Sequence, residues 1–379
     1  MRRSVLALFA FVLAGGDARA QRAALPFSAA LPASAVPLLA IRAAPVFPGA
    51  SLPAVGRSYG SLQSFFDGGI GAGTPGVPVR AAAAGVDFNG REFPHQVFSD
   101  QARISEEIIA AIDASRESID LALHGLALSE FMDALSRAKE RGVRVRLVMN
   151  RHHVYPEKPG QRRSREVQRL IDEGFELRTL RGGDAHGAMH NKFALFDGKL
   201  LETGSYNWAR AADRSHFENA LFIDHAHRLE GYREMWKWMW EQSKPLGDQA
   251  PSGPRGTPPA DPARPVSFRG ETLPAYAFSP KGGAEAWLLR AVDAARESID
   301  IAMFSFTSPD LRAALLRAKE RGVRVRLVFD RAQFGQLEEM RWFVEQGFDL
   351  RLSNGLDGER GVQHNKFAVF DGLLLETGS

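Results

Sequence analysis

A sixteen-residue segment occurs twice in this chain. His190-Asn-Lys-Phe-Ala-Leu-Phe-Asp-Gly-Lys-Leu-Leu-Glu-Thr-Gly-Ser205 returns 174 residues later as His364-Asn-Lys-Phe-Ala-Val-Phe-Asp-Gly-Leu-Leu-Leu-Glu-Thr-Gly-Ser379, with two positions changed. Upstream, Phe98 to Arg151 aligns with Phe278 to Arg331 at a constant offset of 180, and the eleven residues from Ala138 to Val148 reappear unchanged at Ala318 to Val328. The offset falls after that because the first copy has a longer loop around His152 to Arg163. Duplication of a unit this long implies two domains and not a solenoid of short repeats. A chain of 379 residues has room for two cores.

Periodicity gives the order of elements in each copy. Apolar residues at helical spacing run from Ile104 to Ser115 and from Leu128 to Arg141, while Ser118 to Leu123 and Val143 to Met149 read as strands. A helix near Glu166 to Glu173, a strand at Glu176 to Leu180, the His190 segment, a strand near Asn219 to Asp224 and a helix ending at Gln242 complete the first copy. Strands alternating with helices of this length predict an α/β fold: a parallel or mixed sheet with helices on both faces.

Flanking composition supplies the boundaries. Arg2-Arg3, an apolar run from Val5 to Leu13 and Ala18-Arg19-Ala20 have the three-part form of a secretory signal peptide, 1–20, cleaved before Gln21. The run is too short for a membrane span, which needs about 20 residues. An exported protein, periplasmic or extracellular, follows as an expectation. Residues 21–90, rich in Ala, Pro and Gly, read as a disordered tether, and 244–268 as a Pro-rich linker between domain 1 at 91–243 and domain 2 at 269–379. With no cysteine there are no disulfides, no thiolate nucleophile and no Cys-ligated zinc. A net charge of +3 permits an anionic partner without demanding one.

The repeated segment has a geometry of its own. Asp197-Gly198 between two apolar runs is a two-residue hairpin signal. A loop of those two residues sets Phe196 opposite Lys199, Thr203 opposite Lys192 and Ser205 opposite His190, so that imidazole, ammonium and hydroxyl gather at one end of one face. Asp197 and its twin Asp371 then lie at the far end, suited to bonding backbone amides. Gly204 and Gly378 leave room for an anion, and Ser205, Ser379 and Asn207 can donate to it.

The spacing His-x-Lys-x4-Asp-x6-Gly-Ser-x-Asn, complete from His190 to Asn207, resembles the signature of the phospholipase D superfamily, and the resemblance spans about 98–243 and 278–379. It implies two tandem phospholipase D-like α/β/α sandwich domains related by a pseudo-twofold, with one active site built from both motifs. One imidazole attacks phosphorus, the other protonates the leaving oxygen, and a phosphohistidine splits the reaction in two. Family usage favours His190 as nucleophile and His364 as acid. Lys192 and Lys366 bind the non-bridging oxygens, and Glu218 matches the acidic residue that orients a histidine. No metal or other cofactor is expected.

The second motif ends at Ser379, before the counterparts of Asn207 and Glu218, so the second domain is expected to be incomplete and the sequence a fragment. His152, His153 and His186 lack matching histidines in the second copy, which argues against zinc; Phe304 at the place of His124 points to a packing or pocket-edge position. Trp236, Trp238 and Trp240 read as core more readily than as a membrane-interface cluster. The loop from His152 to Arg165 is the candidate for substrate selection. The expected substrate is a phospholipid head-group phosphodiester, with possible peripheral membrane contact. A nucleic-acid phosphodiester, hydrolysed by a metal-independent endonuclease, is the first alternative and a non-catalytic phosphate-binding protein the second. No obligate protein partner is implied, since one chain carries both motifs.

Overall fold

The computed structural model describes residues 7–11, 85–156, 162–183, 187–248, 253–358 and 360–379. Both copies of the repeat belong to one compact unit. His186, most of the expected signal peptide and residues 21–84 of the expected tether lie outside the described residues.

The strands, in chain order, are β1 (Ala7–Phe11), β2 (Val86–Phe88), β3 (Arg91–Phe93), β4 (Gln96–Phe98), β5 (Ser118–Leu123), β6 (Leu126–Ala127), β7 (Arg144–Asn150), β8 (Glu176–Leu180), β9 (Lys192–Phe196), β10 (Leu200–Gly204), β11 (Trp208–Ala209), β12 (Asn219–Ile223) and β13 (Lys244–Pro245). The second copy contributes β14 (Val266–Phe268), β15 (Glu271–Leu273), β16 (Tyr276–Ala277), β17 (Ser298–Met303), β18 (Arg324–Asp330), β19 (Asp349–Ser353), β20 (Lys366–Phe370) and β21 (Leu374–Thr377). The first sheet runs β13-β8-β7-β5-β9-β10-β12-β4 and the second β16-β1-β21-β20-β17-β18-β19. In each, a parallel trio joined by helices (β5, β7, β8; β17, β18, β19) meets an antiparallel hairpin (β9, β10; β20, β21).

Domain boundaries shift from those read in the sequence. The first domain opens with the β2–β3 hairpin, a few residues before 91. The segment 244–268 is folded at both ends, through β13 on β8 and β14 on β15. Between them Asp261 is buried, accepting from the amides of Ala263, Arg264 and Ala275 and pairing with His227 at 3.0 Å. Around Asp261 the Pro-rich connection is thus packed, because one carboxylate satisfies several amides that a loose linker leaves to water.

Hydrophobic periodicity explains the helices. Ile104–Ala114 and Ser129–Glu140 bury Ile108, Ile112, Phe131 and Leu135 against the first sheet. Ala226–Gln242 turns Tyr232 towards Phe193 of the first copy and Phe278 of the second, with ring centroids 5.0 and 5.1 Å apart, so one helix cements both repeats. Truncating such a ring costs about 3–5 kcal/mol. On the same helix Trp236 is buried, donates to the Leu121 carbonyl at 3.1 Å and stacks on Trp240, with the Arg146 guanidinium 4.2 Å from the Trp236 ring centroid. Among the described residues no helix is long and apolar enough to cross a membrane.

Candidate active site

The two His-x-Lys segments enter β9 and β20 at the carboxyl ends of β5 and β17, the place where open α/β sheets present ligand-binding groups. The backbone of the two copies meets there. Phe217 bridges to Gln363, the His364 amide donates to the Phe217 carbonyl at 2.9 Å, and Asn219 Nδ2 donates to Thr377 Oγ1 at 2.9 Å.

At the centre stands Glu218, with no exposed surface. His364 Nδ1 donates to its Oε2 at 2.9 Å and Ser205 Oγ donates to the same oxygen at 2.6 Å. The carboxylate–imidazole bond thus runs between repeats, a carboxylate of the first orienting a histidine of the second. His216 Nδ1 lies 3.6 Å from Glu218 Oε1. Burial opposes ionisation of Glu218, but His364, His216 and Lys366 outweigh it and draw the carboxyl down to about 2. Burial lowers His364 to about 4 and Glu218 opposes that fall, so His364 carries an acid proton when a bound anion adds to the charge of Glu218.

His190 has a cation for its neighbour. Lys192 Nζ donates to the His190 carbonyl at 2.7 Å and lies 3.2 Å from His190 Nδ1. Burial, then Lys192, holds His190 well below the ordinary imidazole range. Lys366 Nζ donates to the His364 carbonyl at 2.7 Å, the same tether in the second repeat. Both ammonium groups are buried, which drives Lys366 down to about 8 and Lys192 well below its usual value, Lys366 itself adding to the fall of Lys192. Two desolvated cations that disfavour each other form a site that an anion relieves.

Three expectations about the hairpin are corrected. Its register is Phe196 opposite Leu200 and Phe193 opposite Thr203, one residue displaced from a two-residue loop. Asp197 and Gly198 do adopt the left-handed conformation, with φ of 50° and 62°, and Lys199 donates to the Phe196 carbonyl at 2.9 Å, but Lys199 is left over as a third loop residue. Thr203 therefore does not face Lys192. Second, Ser205 Oγ accepts from the Asn219 amide at 3.0 Å while donating to Glu218, so it positions the carboxylate and has no donor left for an anion. Third, Gly204 leaves no opening: a Cβ there would run into the Asn219 carbonyl, so close approach of β12 requires the glycine. Gly378 continues the second hairpin, its amide donating to the Lys366 carbonyl at 3.1 Å.

Asn207 Oδ1 and Ser379 Oγ are buried with no hydrogen-bond partner among the described residues. Asp197 lies at the far end of the hairpin, accepting from the amides of Glu117 at 2.8 Å, Ser118 at 2.9 Å and Arg116, and from Asn89 Nδ2 at 2.7 Å. Asp371 does the same with Glu297, Ser298 and Arg296, and with Arg269 Nε at 2.6 Å. These carboxylates staple the hairpins to the loops that lead into β5 and β17. In the loop after β7, His153 Nε2 accepts from the Leu126 amide, Arg163 Nε donates to the Val154 carbonyl at 2.7 Å, and Ser164 caps the helix Arg165–Asp172. These side chains hold the loop itself; residues 157–161 of it lie outside the described residues. Among the described residues no three His, Asp or Glu side chains group to hold a metal ion.

Sequence reasoning passed over His216, although its spacing of two from Glu218 is a strand's same-face spacing. It also passed over Glu202 and Glu376, which burial pushes up to about 8 and so holds in the uncharged form at neutral pH.

Two motif-bearing halves sharing a carboxylate, two lysines and two imidazoles define a class of duplicated α/β proteins with a composite anion site. The family model described as "Cardiolipin synthase, PLD-like domain" matches residues 108–240 and 288–379, more than half of the chain. The chain belongs to this family, within the phospholipase D superfamily. It is 31% identical over 140 residues to the "Phospholipase D" of Rickettsia felis, a match covering 37% of this chain and 65% of that protein. It is 28% identical over 153 residues to the "Mitochondrial cardiolipin hydrolase" of Danio rerio, covering 40% of this chain and 62% of the relative. The chain thus spans a little under two thirds of the length of these curated relatives. The crystal structure of phosphatidylserine synthase from Haemophilus influenzae superposes with a TM-score of 0.52 at 14% identity, covering 73% of this chain and 76% of that one, a likeness of fold alone.

Proposed function

We propose that the protein is a phosphodiesterase of phospholipase D type that hydrolyses a phospholipid head-group phosphodiester. The observation that carries this reading is the bond from His364 Nδ1 to Glu218, which leaves His364 Nε2 to move a proton while His190, beside Lys192, stays neutral. In the first step a His190 nitrogen lone pair attacks phosphorus, the P–O bond to the leaving alcohol breaks, and His364 gives its proton to that oxygen. In the second, water attacks the phosphohistidine, the P–N bond breaks, and His364 takes the proton that water loses. Lys192 and Lys366 counter the charge on the non-bridging oxygens, in a buried setting where each contact is worth more than in water. The names of the curated relatives support a lipid substrate.

The full-length protein should be assayed in EDTA on phosphatidylglycerol and phosphatidylethanolamine vesicles, and on single- and double-stranded DNA. Head-group release abolished by His190→Ala and by His364→Ala, with both variants folded, is the expected result. EDTA-resistant DNA cleavage lost in the same variants would make it an endonuclease instead. Near-normal turnover in both variants would remove the two-histidine mechanism, and no turnover of either polymer or lipid would leave a phosphate-binding protein.

A further inference from the structure

A cavity of about 300 Å³ adjoins His190. Both repeats and the helix between them build its wall: Met189 and His190 come from the first motif, Met235, Trp238 and Met239 from Ala226–Gln242, and Pro280 from the segment after β16. The three helix residues stand three and four positions apart, so a single helical face supplies them. Asn191, between His190 and Lys192, turns its Nδ2 to the sulfurs of Met189 and Met239, at 3.7 and 3.5 Å, and so ties this wall to the motif. The second motif is polar at the same point. Gln363 stands where the first copy has Met189, and its buried Oε1 accepts from the Asn365 amide at 2.7 Å.

The side of the site on which the cavity lies decides which part of a substrate it meets. In-line displacement by His190 sends the leaving alcohol towards His364 and keeps the other ester on the phosphorus that His190 holds. A cavity walled by His190 therefore adjoins the retained arm. An apolar cavity of about 150 Å³ takes up benzene, and at about 30 Å³ for each water-sized group this one has room for about ten such groups. Thioethers adapt to the shape of a flexible chain. A nucleoside would instead set its hydroxyls and base edges against a wall made mostly of carbon and sulfur, where each unpaired polar group weakens binding.

We propose that this cavity seats one alkyl chain of the ester that stays on phosphorus, so that the retained arm of the substrate is that of a lipid. This rests on the phosphodiester reading above, but its test needs no turnover. An n-alkyl phosphate is the smallest mimic of the product that keeps the retained arm. Binding of butyl, hexyl, octyl, decyl and dodecyl phosphate to the full-length protein, each below its micelle concentration, is measured by calorimetry. The phosphate is constant through the series, so the site lysines, and the Arg181 and Lys281 that also line the cavity, act alike on every probe. At about fourfold for each methylene buried, octyl phosphate should bind on the order of 100-fold more tightly than butyl phosphate. The gain should level off near about ten carbons, when the cavity is full. Ala188→Phe, which adds a ring at the wall, should flatten the series, and Trp238→Gln, at a half-buried helix position where the fold tolerates an amide, should make it shallower. Affinity that ignores chain length, or a gain untouched by both variants, overturns the proposal. A gain with chain length in a protein that turns over no phosphodiester overturns the proposed activity and leaves the cavity its chain. Head-group release without such a gain overturns the cavity assignment alone.

Discussion

The two repeats agree in what holds them up and differ in what they give the site. Both pair an Asp on the central strand with an Arg on its parallel neighbour, Asp120 with Arg146 and Asp300 with Arg326, through two hydrogen bonds each. Both staple the hairpin turn with an Asp on three consecutive amides. Both fold the motif lysine back on the histidine carbonyl. The edge differs. In the first sheet β12 lies antiparallel between β10 and β4, and the residue just before it is Glu218; in the second, the place between β21 and β16 is taken by β1, parallel to both. Duplication thus supplied the scaffold and the two imidazole–lysine pairs. The shared carboxylate is what makes their chemistry unequal, because only His364 is seen bonded to it.

The most direct way to break that inequality is Glu218→Gln. An amide keeps the volume but removes the charge that opposes desolvation of His364. Turnover should fall by up to about 10,000-fold with KM little changed, as when the carboxylate behind a catalytic imidazole becomes an amide. The sign of the pH effect follows from the lost charge: His364 binds its proton less tightly, so the limb on which the acid form disappears moves to lower pH. A variant with wild-type kcat and an unmoved limb would show that the cross-repeat bond is structural only.

The twin staples allow a comparison of stability. Burial works against the charge of Asp197 and Asp371, yet their amide partners prevail and hold both carboxyls below the ordinary value. A group with a depressed folded-state pKa stabilises fully above its unfolded value, near 4, and loses that contribution as pH falls through the folded one. Each Asp→Asn should cost about 2–3 kcal/mol at pH 7 and much less at pH 3, read by urea melts. Asp371→Asn should be the more costly, since it also weakens an ion pair with the Arg269 guanidinium, which keeps Glu297, where Asp197→Asn loses only a neutral Asn89 amide, which keeps the Ala114 carbonyl. Equal losses would place the whole contribution in the amide trio.

The scaffold was legible because it follows local rules. Ser118–Leu123, Glu176–Leu180 and the helix ending at Gln242 appear where alternation and helical spacing set them. The motif pairs were legible because they repeat. The hairpin register was not, since Asp-Gly announces left-handed turn residues without saying where pairing resumes, and a single extra residue, Lys199, reverses which neighbours face across the ladder. The task of Ser205 was hidden for another reason. Its partner Glu218 stands thirteen residues further on, just before β12, and no periodicity in Gly204-Ser205-Tyr206-Asn207 records that approach. The match of His124 with Phe304 points to a packing or pocket-edge position, and the two rings do take the same edge-on place against His190 and His364.

The smallest expected effect concerns the two lysines, whose surroundings differ more than their sequences. Lys366 is lowered by burial but supported by Glu218 and Asp330, whereas Lys192 has burial and Lys366 against it and Glu218 alone for it. The free protein therefore holds less than two full positive charges there at pH 8, close to the value to which burial lowers Lys366. A phosphate between them favours both charged forms, so binding must take up protons. Calorimetry of inorganic phosphate binding at pH 8, in buffers of different ionisation enthalpy, should register an uptake of up to about one proton beyond that of phosphate itself. Lys192→Met and Lys366→Met should each reduce that uptake, because burial lowers both groups. Uptake near zero in the wild type would mean that both ammonium ions are already charged in the free protein. The repeats would then contribute equal cations, and their difference would reduce to the single carboxylate they share.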